Sequence, residues 1–329
     1  MDEIKDLVAA GSGVAVIFGG SGFIGTHLTA DLIHRGKRVV IADVVPPENL
    51  TEGVTFEYCD VRQPIHLAHD DCCDVVFNLA AVHRTPGHEP HEYYETNVRG
   101  ALNLVEWMQA GGERELHFTS SIAVYGPSED LKSESTSPAP TTDYGRSKLL
   151  AEKIFGSWQA ADPGRKLVVV RPAVVFGPGE RGNFTRLAKA LRRRTFVYPG
   201  RKDVVKSGGY VGDLVKALAF AHDLPDRYLL FNYCYPHGAT IEEICEAFHE
   251  VAGYPRPPML APALVGSAIK TLKTVNPRDK GSLSAARVAK LTASTNIAAG
   301  ELQRLGFEWE TDVVSALWEW RRQTTGRFV

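Results

Sequence analysis

Two side chains with the types and spacing needed for proton transfer occur near the middle of the sequence. Tyr144 and Lys148 lie four residues apart in a helical pattern that we predict over 144–160, so they share one helix face. A phenol is a poor acid or base at neutral pH, but a neighbouring ammonium stabilises its phenolate. Ser121 follows a predicted strand over 115–119 and can hold a reacting oxygen against the tyrosine. The pattern predicts acid–base chemistry on a hydroxyl or carbonyl group.

A glycine-rich turn lies near the start of the chain. It reads Gly19-Gly20-Ser21-Gly22-Phe23-Ile24-Gly25 and follows a continuous apolar run. Glycines at these spacings allow a tight turn and bring backbone N–H groups to a pyrophosphate, which the N-terminus of the next helix also stabilises. Asp43 lies 18 residues after Gly25, where its carboxylate can bond both ribose hydroxyls and repel a 2′-phosphate. These residues predict a dinucleotide site that prefers NAD over NADP.

Short β-branched runs alternate with helical patterns through the first half of the chain. The predicted strands are 14–18, 39–42, 75–79, 115–119, 167–170 and 228–233, and the predicted helices include 24–35, 91–110 and 144–160. This alternation favours an α/β fold, a Rossmann-type, doubly wound parallel sheet. The carboxyl edge of such a sheet is where ligands bind, so the sheet places the glycine turn and Ser121 at the same edge.

The character of the chain changes after Arg171-Pro172. A turn-rich segment and a basic helical stretch (186–194) follow, and the chain is mostly helical in pattern after about residue 237. We therefore predict an NAD-binding Rossmann domain from 1–176 plus about 207–236. A smaller, mostly helical C-terminal substrate lobe is predicted from 177–206 and 237–329.

Seven motifs occur in a fixed order along the chain. They are the glycine turn; Asp60-Val61-Arg62; Asn78-Leu79-Ala80-Ala81; Asn97-Val98-Arg99-Gly100; Ser120 through Gly126; Tyr144 through Lys148; and Arg171 through Pro178, with Tyr210-Val211-Gly212-Asp213 as an additional match. In these residues the sequence resembles the extended short-chain dehydrogenase/reductase family, in its NAD-dependent nucleotide-sugar epimerase/dehydratase branch. The resemblance covers residues 14 to about 235.

The resemblance implies a role for each matching position. Ser121 polarises the sugar C4 oxygen, Tyr144 is the acid/base and Lys148 lowers its pKa. The residues implied to contact NAD, besides Tyr144, Lys148 and Asp43, are Gly19, Gly22, Phe23, Ile24, Gly25, Asp60, Val61, Leu79, Ala80, Ala81, Asn97, Ser120, Pro172 and Val174. Asn183, Lys206 and Arg278 are implied to favour an anionic nucleotide-diphosphate sugar. Lys206 replaces the arginine usual in the family. It offers a single ammonium charge and not the paired N–H donors of a guanidinium, which bind a phosphate in bidentate fashion.

The two residues after Ser121 discriminate between reactions. Related 4,6-dehydratases carry an Asp-Glu pair there and related decarboxylases a glutamate, whereas this chain has Ile122 and Ala123, which cannot move a proton. We therefore predict an epimerase that removes and returns a hydride at the sugar C4 carbinol. An NAD(P)H-dependent 4-keto-sugar reductase is the alternative. A dehydratase, a 3-hydroxysteroid-type dehydrogenase and a non-catalytic NAD sensor are weaker readings.

Composition excludes other functional classes. The formal net charge is −2, which is unlike a nucleic-acid binder. Five cysteines without a C-x-x-C pair predict neither a disulfide framework nor a zinc site, and no apolar run is long enough to span a bilayer. We expect no metal at the loop histidines His83, His88 and His91, although His83 is a candidate substrate contact. The sequence predicts a cytoplasmic homodimer, with helices 91–110 and 144–160 pairing between subunits.

Overall fold

The computed structural model of the protein describes residues 13–68, 73–83, 87–261 and 292–329. Arg278 therefore lies outside the described residues. So does the larger part of 257–269, a stretch of mostly apolar residues broken by prolines. The described strands, numbered in chain order, are β1 Val14–Phe18, β2 Arg38–Asp43, β3 Val54–Tyr58, β4 Cys73–Asn78, β5 Glu115–Thr119, β6 Ser128–Lys132, β7 Lys166–Pro172, β8 Val174–Phe176, β9 Tyr198–Pro199, β10 Val205–Lys206, β11 Gly208–Tyr210, β12 Tyr228–Tyr233, β13 Ala239–Thr240, β14 Met259–Leu260 and β15 Thr295–Ile297. The described α-helices are Phe23–His34, Pro90–Tyr94, Gly100–Gly111, Asp143–Ala160, Asn183–Arg192, Val211–Asp223, Ile241–Ala252, Gly300–Arg304 and Val313–Gln323.

The described residues divide into two compact units. The first contains the described residues up to Val124 with Pro140–Arg171 and Val215–Leu230; the second contains Tyr125–Ala139, Pro172–Leu214 and the described residues from Phe231 onward. These units differ from the predicted domain bounds mainly in that Tyr125–Ala139 groups with the second unit. The division of cofactor and substrate between two domains stays a prediction.

A seven-stranded parallel sheet organises the fold, in the order β12-β7-β5-β4-β1-β2-β3. The pairs β1–β2 and β1–β4 lie in the middle, with Phe18 opposite Ala42 on one side and Asn78 on the other. The strand order reverses between β1 and β4, which is the switch point where α/β folds bind ligands. The predicted Rossmann-type fold is confirmed.

The edge strand β3 is the element of this sheet that the sequence did not predict. It pairs in parallel with β2, with Val39 opposite Val54 and Asp43 opposite Tyr58. Its residues are exposed or half-buried. An edge strand lacks the continuous apolar run that identifies a central strand, so its pattern is weak.

Aromatic side chains fill the space between one face of the sheet and two helices. Phe18 packs edge to face on Trp107 at 5.3 Å between ring centroids, and Phe118 packs on Phe155 at 4.8 Å. Trp107 belongs to the helix Gly100–Gly111 and Phe155 to Asp143–Ala160, so the catalytic helix is anchored to the sheet by buried rings. Such pairs contribute about 0.5–1.5 kcal/mol each beyond the area that they bury.

The predicted helix over 91–110 is interrupted by one wider turn. Pro90–Tyr94 is α-helical, Glu95–Arg99 is a π-helix, and Gly100–Gly111 is again α-helical. A π-helical turn is rare and is often found at functional sites, since it turns one side chain out of the regular helical row. Asn97 lies in this turn and is buried.

The second unit combines helices with small sheets. β13-β10-β15-β6 form a four-stranded sheet, and β11-β8 and β14-β9 form two-stranded sheets. Its core is aromatic: Phe176 stacks on Phe184 at 4.1 Å, and Trp320 packs on Phe328 at 5.3 Å. The small sheets were not predicted, because most of their strands have two or three residues, too few to show alternation, and the five-residue β6 has no buried residue. No helix in the described residues has the length and apolar character that crossing a bilayer requires.

Candidate active site

The glycine turn between β1 and the helix Phe23–His34 is shaped by close backbone packing. Gly19 has φ +79°, and a β-carbon on it would lie 2.6 Å from the backbone nitrogen of Ala80. A β-carbon on Gly25 would lie 2.4 Å from the carbonyl oxygen of Gly20. Neither position therefore accepts a side chain.

Gly22 is different, because its neighbours in the protein leave room. A β-carbon there would meet only the carbonyl oxygen of Gly19, at 3.3 Å. The missing side chain thus leaves open space just before the first helical turn, which is the cradle that a pyrophosphate requires. The turn fits NAD for this reason. The predicted contacts of Phe23 and Ile24, which open that helix, stay predictions.

Asp43 lies at the end of β2 beside this turn. Its Oδ2 accepts a hydrogen bond from the backbone nitrogen of Ser21 at 3.1 Å, and its Oδ1 accepts one from Val45 at 3.2 Å. Its carboxylate is therefore held against the turn, where the sequence pattern places it to receive the ribose. Selection for NAD at this residue stays a prediction.

Asn97 ties the loop after β4 to the helix that carries Tyr144. Its side-chain amide accepts from the backbone nitrogen of Val82 at 3.1 Å and donates to the Val82 carbonyl at 3.2 Å. It also donates to Ser147 Oγ at 2.8 Å, and that hydroxyl donates to the Tyr144 carbonyl at 2.9 Å. Asn97 thereby positions the 79–82 loop, which includes Leu79, Ala80 and Ala81, relative to the catalytic helix.

Asp60 and Val61 follow β3. Arg62 Nη2 lies 2.7 Å from Asp60 Oδ2, and its hydrogen bonds to the Asp60 carboxylate hold the pKa of that group below its usual value. The Val61 carbonyl accepts from Asn103 Nδ2 at 2.7 Å. The segment is well fixed, and its predicted contact with the adenine stays a prediction.

Ser121 and Tyr144 meet at the carboxyl end of β5. The Ser121 hydroxyl lies close enough to the Tyr144 phenol to interact with it, and Ser121 Oγ accepts from the backbone nitrogen of Ala123 at 3.1 Å. Gly145 permits this approach, since a β-carbon on it would lie 2.3 Å from the Ala123 carbonyl oxygen. Thr142 caps the helix and accepts from the Gly145 nitrogen at 3.1 Å. The predicted pair of hydroxyls is thus assembled.

Burial raises the pKa of Tyr144 above its usual value, while the hydrogen bond with Ser121 acts in the opposite direction. Tyr93, whose ring centroid lies 6.2 Å away, adds a smaller upward effect. The pKa of Tyr144 is therefore raised in this arrangement, opposite to the lowering that the family resemblance assigned to Lys148. A lowered pKa needs a positive charge beside the phenol, and that role of Lys148 stays a prediction.

Lys148 is buried one helical turn after Tyr144. Its Nζ donates to the Thr119 carbonyl at 2.8 Å and lies 4.8 Å from the centroid of the Phe118 ring. Burial lowers the pKa of Lys148 to about 7, and the negative charge of Glu152 opposes this shift. The ammonium is therefore poised to gain or lose its proton near neutral pH, at the same strand end as Ser121.

A buried ion pair behind Lys148 was not predicted from the sequence. Glu152 accepts from Arg171 at 2.9 Å (Nε to Oε1) and 2.6 Å (Nη2 to Oε2), and Ser120 Oγ donates to the same carboxylate. The Ser120 hydroxyl thus faces the interior, although a backbone contact with NAD stays predicted. The available signal was an acid four residues after Lys148 on the same helix face.

The predicted substrate residues of the second unit lie in different secondary-structure elements and are far apart in the sequence. Asn183 begins a helix, is exposed and accepts from Arg186 Nη2 at 2.8 Å. Lys206 lies in β10; its Nζ donates to the Ala293 carbonyl, and burial lowers the pKa of Lys206 to about 8. Pro172 and Val174, which were predicted to contact NAD, also lie in this unit, where Val174 pairs with Gly208; their contact with NAD stays a prediction. Arg278 lies outside the described residues, and the substrate roles of Asn183, Lys206 and Arg278 stay predictions.

His83 is exposed at the end of its described loop, and its contact with substrate also stays a prediction. Elsewhere in the first unit, Glu115, His117 and His222 form a cluster whose ligand atoms lie within 4.8 Å of one another. Glu115 Oε1 lies 2.7 Å from His117 Nε2 and 2.8 Å from His222 Nδ1. This cluster lies at the amino end of β5, the opposite end from Ser121.

The assembled turn and hydroxyl–lysine site correspond to a known family. A model of the NAD dependent epimerase/dehydratase family matches residues 15–232. The chain belongs to this family. The match confirms the family predicted from the motifs. The protein is accordingly an enzyme of the epimerase/dehydratase type that uses NAD.

Curated relatives of the chain are 4-epimerases. An N-acetyl-α-D-glucosaminyl-diphospho-ditrans,octacis-undecaprenol 4-epimerase from Escherichia coli O157:H7 is 28% identical, and the match covers 89% of each chain. A UDP-glucose 4-epimerase from Halalkalibacterium halodurans is also 28% identical, over 76% of this chain and 84% of the relative. A nucleotide-sugar epimerase is thus the function that the relatives support.

Solved structures share the fold across nearly the whole chain. MoeE5 in complex with UDP-glucuronic acid and NAD is 26% identical with a TM-score of 0.73, covering 95% of this chain and all (100%) of that one. The UDP-glucose 4-epimerase of Thermus thermophilus in complex with NAD has the same TM-score of 0.73 at 23% identity, covering 95% of this chain and 99% of that one.

Proposed function

We propose that the protein is an NAD-dependent 4-epimerase of diphosphate-linked sugars, with a nucleotide-diphosphate sugar as its substrate. The observation that carries the proposal is that the Ser121 hydroxyl interacts with the Tyr144 phenol while Lys148 is buried one turn away. This group lies at the carboxyl edge of the same sheet that holds the glycine turn, and hydride chemistry needs both.

Each of the three side chains has a defined task in this reaction. Ser121 hydrogen-bonds the C4 oxygen and holds it at Tyr144, which takes the hydroxyl proton as a base and returns it as an acid. Lys148 supplies positive charge that favours the phenolate. NAD⁺, when bound at the glycine turn, accepts the C4 hydride and gives it back. General acid–base catalysis of this kind contributes about 10²- to 10⁴-fold to the rate.

The residues after Ser121 support epimerisation over loss of water. Ile122 and Ala123 lie in a short 3₁₀ turn and offer no carboxylate to remove a proton from the sugar ring. Asp43, held against the glycine turn, supports NAD over NADP and so disfavours a reductase that draws on NADPH.

We also propose a cytoplasmic homodimer that acts in polysaccharide biosynthesis. Large apolar side chains are exposed on both helices that the sequence assigned to the interface: Leu102 is 48% exposed and Leu150 is 41% exposed. Exposed apolar residues on neighbouring helices support a subunit contact. Light scattering should give twice the chain mass, and a Leu102→Glu/Leu150→Glu variant should give the monomer mass. A monomeric wild type contradicts the dimer.

A lipid-linked substrate is a second candidate. The E. coli relative is named for a sugar joined through a diphosphate to undecaprenol. In this chain Val197 immediately precedes β9 and is 40% exposed. Met259 begins β14, which pairs with β9, and is 55% exposed. Exposed apolar side chains suit a polyprenyl chain better than a nucleotide.

The experiment is a substrate panel without added cofactor. UDP-glucose, UDP-N-acetylglucosamine and a short-chain polyprenyl-diphosphate N-acetylglucosamine are each incubated with wild type, and the C4 epimer is measured by proton NMR. We expect epimer from at least one of them, and none with Tyr144→Phe. Epimer from the lipid-linked sugar alone selects the second candidate. Absence of any epimer, or equal activity in Tyr144→Phe, contradicts the proposal.

A further inference from the structure

One stretch of the second unit has an unusual charge. Residues 181–202, which we call the basic segment, contain eight lysines and arginines and no acidic residue, in a chain whose formal net charge is −2. The rest of the chain is therefore net negative. The basic segment comprises the helix Asn183–Arg192, the residues after it and β9.

The positive charges at the C-terminal end of the basic segment form ion pairs within the protein. Arg201 Nε lies 2.8 Å from Asp203 Oδ1, and Lys202 forms an ion pair with Glu242. The middle of the segment differs: Lys189, Arg192, Arg193 and Arg194 are exposed, and no ion pair engages them among the residues that the structure describes. A helix C-terminus favours a cation or two, each worth a small stabilisation, but it does not account for four.

Apolar side chains adjoin these four cations. Phe196 and Val197 lie two and three residues after Arg194, and Val197 is 40% exposed. The next residue, Tyr198, donates its backbone N–H to the Pro258 carbonyl at 2.9 Å, which places β14 and the 55% exposed Met259 alongside. The nearest acids on the helix Ile241–Ala252 are engaged, since Glu242 pairs with Lys202 and Glu246 with Arg256.

We propose that this basic–apolar face, formed by Lys189, Arg192–Arg194, Val197 and Met259, docks the protein onto the surface of an anionic lipid bilayer. Cations beside short exposed apolar groups are the combination that an anionic membrane interface binds, because the head groups attract the charge and the interface accepts the apolar tips. The docking is peripheral. It concerns the surface alone and holds whichever diphosphate-linked sugar is the substrate.

Nucleic acid and acidic proteins also attract cations, but the face suits them less well. A nucleic-acid groove needs a broad positive field, and here the four cations stand on a chain that is net negative elsewhere. Neither partner explains why Val197 and Met259 are exposed beside the cations. A membrane interface uses both components.

The test is co-sedimentation of the full chain with phosphatidylcholine vesicles, with and without phosphatidylglycerol. We expect binding to the anionic vesicles only. Raising the salt from about 0.1 M to about 1 M should release the protein, because the screening length falls from about 10 Å to about 3 Å. An Arg192→Gln/Arg193→Gln/Arg194→Gln variant should lower the partition coefficient about 100-fold, or about fivefold per cation removed.

The matched control neutralises three other exposed arginines, Arg35, Arg304 and Arg322, each of which forms an ion pair on its own helix. Arg35→Gln/Arg304→Gln/Arg322→Gln removes the same net charge and should bind like wild type. A Val197→Ser/Met259→Gln variant should bind more weakly but keep the salt dependence. Thermal unfolding shows whether each variant is folded.

Four outcomes overturn the proposal. The first three are equal binding to vesicles with and without phosphatidylglycerol, an equal loss of binding in the two arginine variants, and binding to heparin or duplex DNA with none to anionic vesicles. The last result would assign the cations to a nucleic-acid or polyanion partner. Retained binding in a folded Arg192→Gln/Arg193→Gln/Arg194→Gln variant also contradicts it.

Discussion

A glutamate with basic partners lies at each end of strand β5, half-buried Glu115 at the amino end and buried Glu152 near the carboxyl end, yet the two ends differ in what those groups can do. At the amino end, Glu115 accepts from His117 and His222, and Lys166 Nζ lies 3.6 Å away. At the carboxyl end, beside Ser120, Glu152 is paired with Arg171.

The difference lies in the groups next to each glutamate. At the amino end, the Lys166 ammonium also donates to the His222 and Leu224 carbonyls at 2.6 and 2.7 Å. Lys166 thus ties the cluster to the C-terminal end of the helix Val211–Asp223. At the carboxyl end the neighbours are Lys148 and the interacting hydroxyls of Ser121 and Tyr144. In the proposed reaction, this is the end that moves a proton on the bound alcohol.

A shifted pKa therefore does not by itself identify a catalytic group in this fold. The imidazoles hold the pKa of Glu115 at about 2, against an upward effect of burial. That is a large departure from the usual value, although smaller than the one at Lys148, whose pKa burial lowers to about 7. Structural ion clusters perturb pKa values as active sites do, and reactive neighbours separate them. We interpret the Glu115 cluster as structural, since the nearby Lys166 ammonium disfavours a metal ion.

The largest effect should come from removing the hydroxyl at the carboxyl end. Tyr144→Phe should lower kcat about 10²- to 10⁴-fold, because the acid/base is lost, while NAD stays bound. Glu115→Gln at the amino end should change kcat only a few-fold in the protein that remains folded. The measurements are initial rates and the NAD content after denaturation. Comparable kcat values for the two variants would contradict the assignment of the chemistry to the carboxyl end of β5.

Glu152→Gln and Glu115→Gln test the two glutamates directly. Glu152→Gln breaks a buried charge pair, which costs about 3–5 kcal/mol in the free energy of unfolding, and Glu115→Gln, at a half-buried carboxylate, should cost less. Only Glu152→Gln should move the pH profile of kcat. Glu152 raises the pKa of Lys148, so its loss should shift the alkaline limb to lower pH. If the variant folds poorly, Glu152→Asp is the substitute, and an unmoved limb contradicts the positioning role.

Asp43→Ala tests the cofactor side of the carboxyl edge. Loss of a charged hydrogen-bond acceptor costs about 1.5–3 kcal/mol, or about 10- to 100-fold in affinity. We expect NAD to bind more weakly by this factor and NADP binding to improve relative to it. Titration of both cofactors into the apoprotein measures this ratio. A wild type that already prefers NADP would show that Asp43 does not select NAD.

The smallest effect concerns acid stability at the amino end. Burial lowers the pKa of His117, and the imidazoles lower that of Glu115 to about 2. Both folded values lie below the unfolded ones, so their stabilisation is complete above about pH 6.5 and is lost as pH falls. We expect the free energy of unfolding, measured by urea titration, to fall as the pH is lowered from about 7 to about 5. The fall should be up to about 1.4 kcal/mol per pH unit for one linked proton. His117→Gln should flatten that decline.

The placement of the candidate catalytic residues could be predicted because local patterns carry them. The apolar run of β1 and the glycines after it define the turn, and the spacing of Tyr144 and Lys148 defines a helix face. The Asn97–Ser147 hydrogen bond and the Glu152–Arg171 pair join residues far apart in sequence. No local sequence pattern indicates that these residues are partners, so the two contacts are seen only in the folded structure. β3 was missed for the opposite reason, since an exposed edge needs no apolar pattern.

The most direct measurement of the central claim follows the C4 hydrogen itself. A substrate deuterated at C4 is converted by the purified enzyme without added cofactor, and the product epimer is examined by mass spectrometry. We predict that the product keeps its deuterium, because the hydride leaves C4 and returns to it within one site containing Ser121, Tyr144 and Lys148. Loss of the label to solvent, or turnover only when NADH or NADPH is supplied, would contradict it.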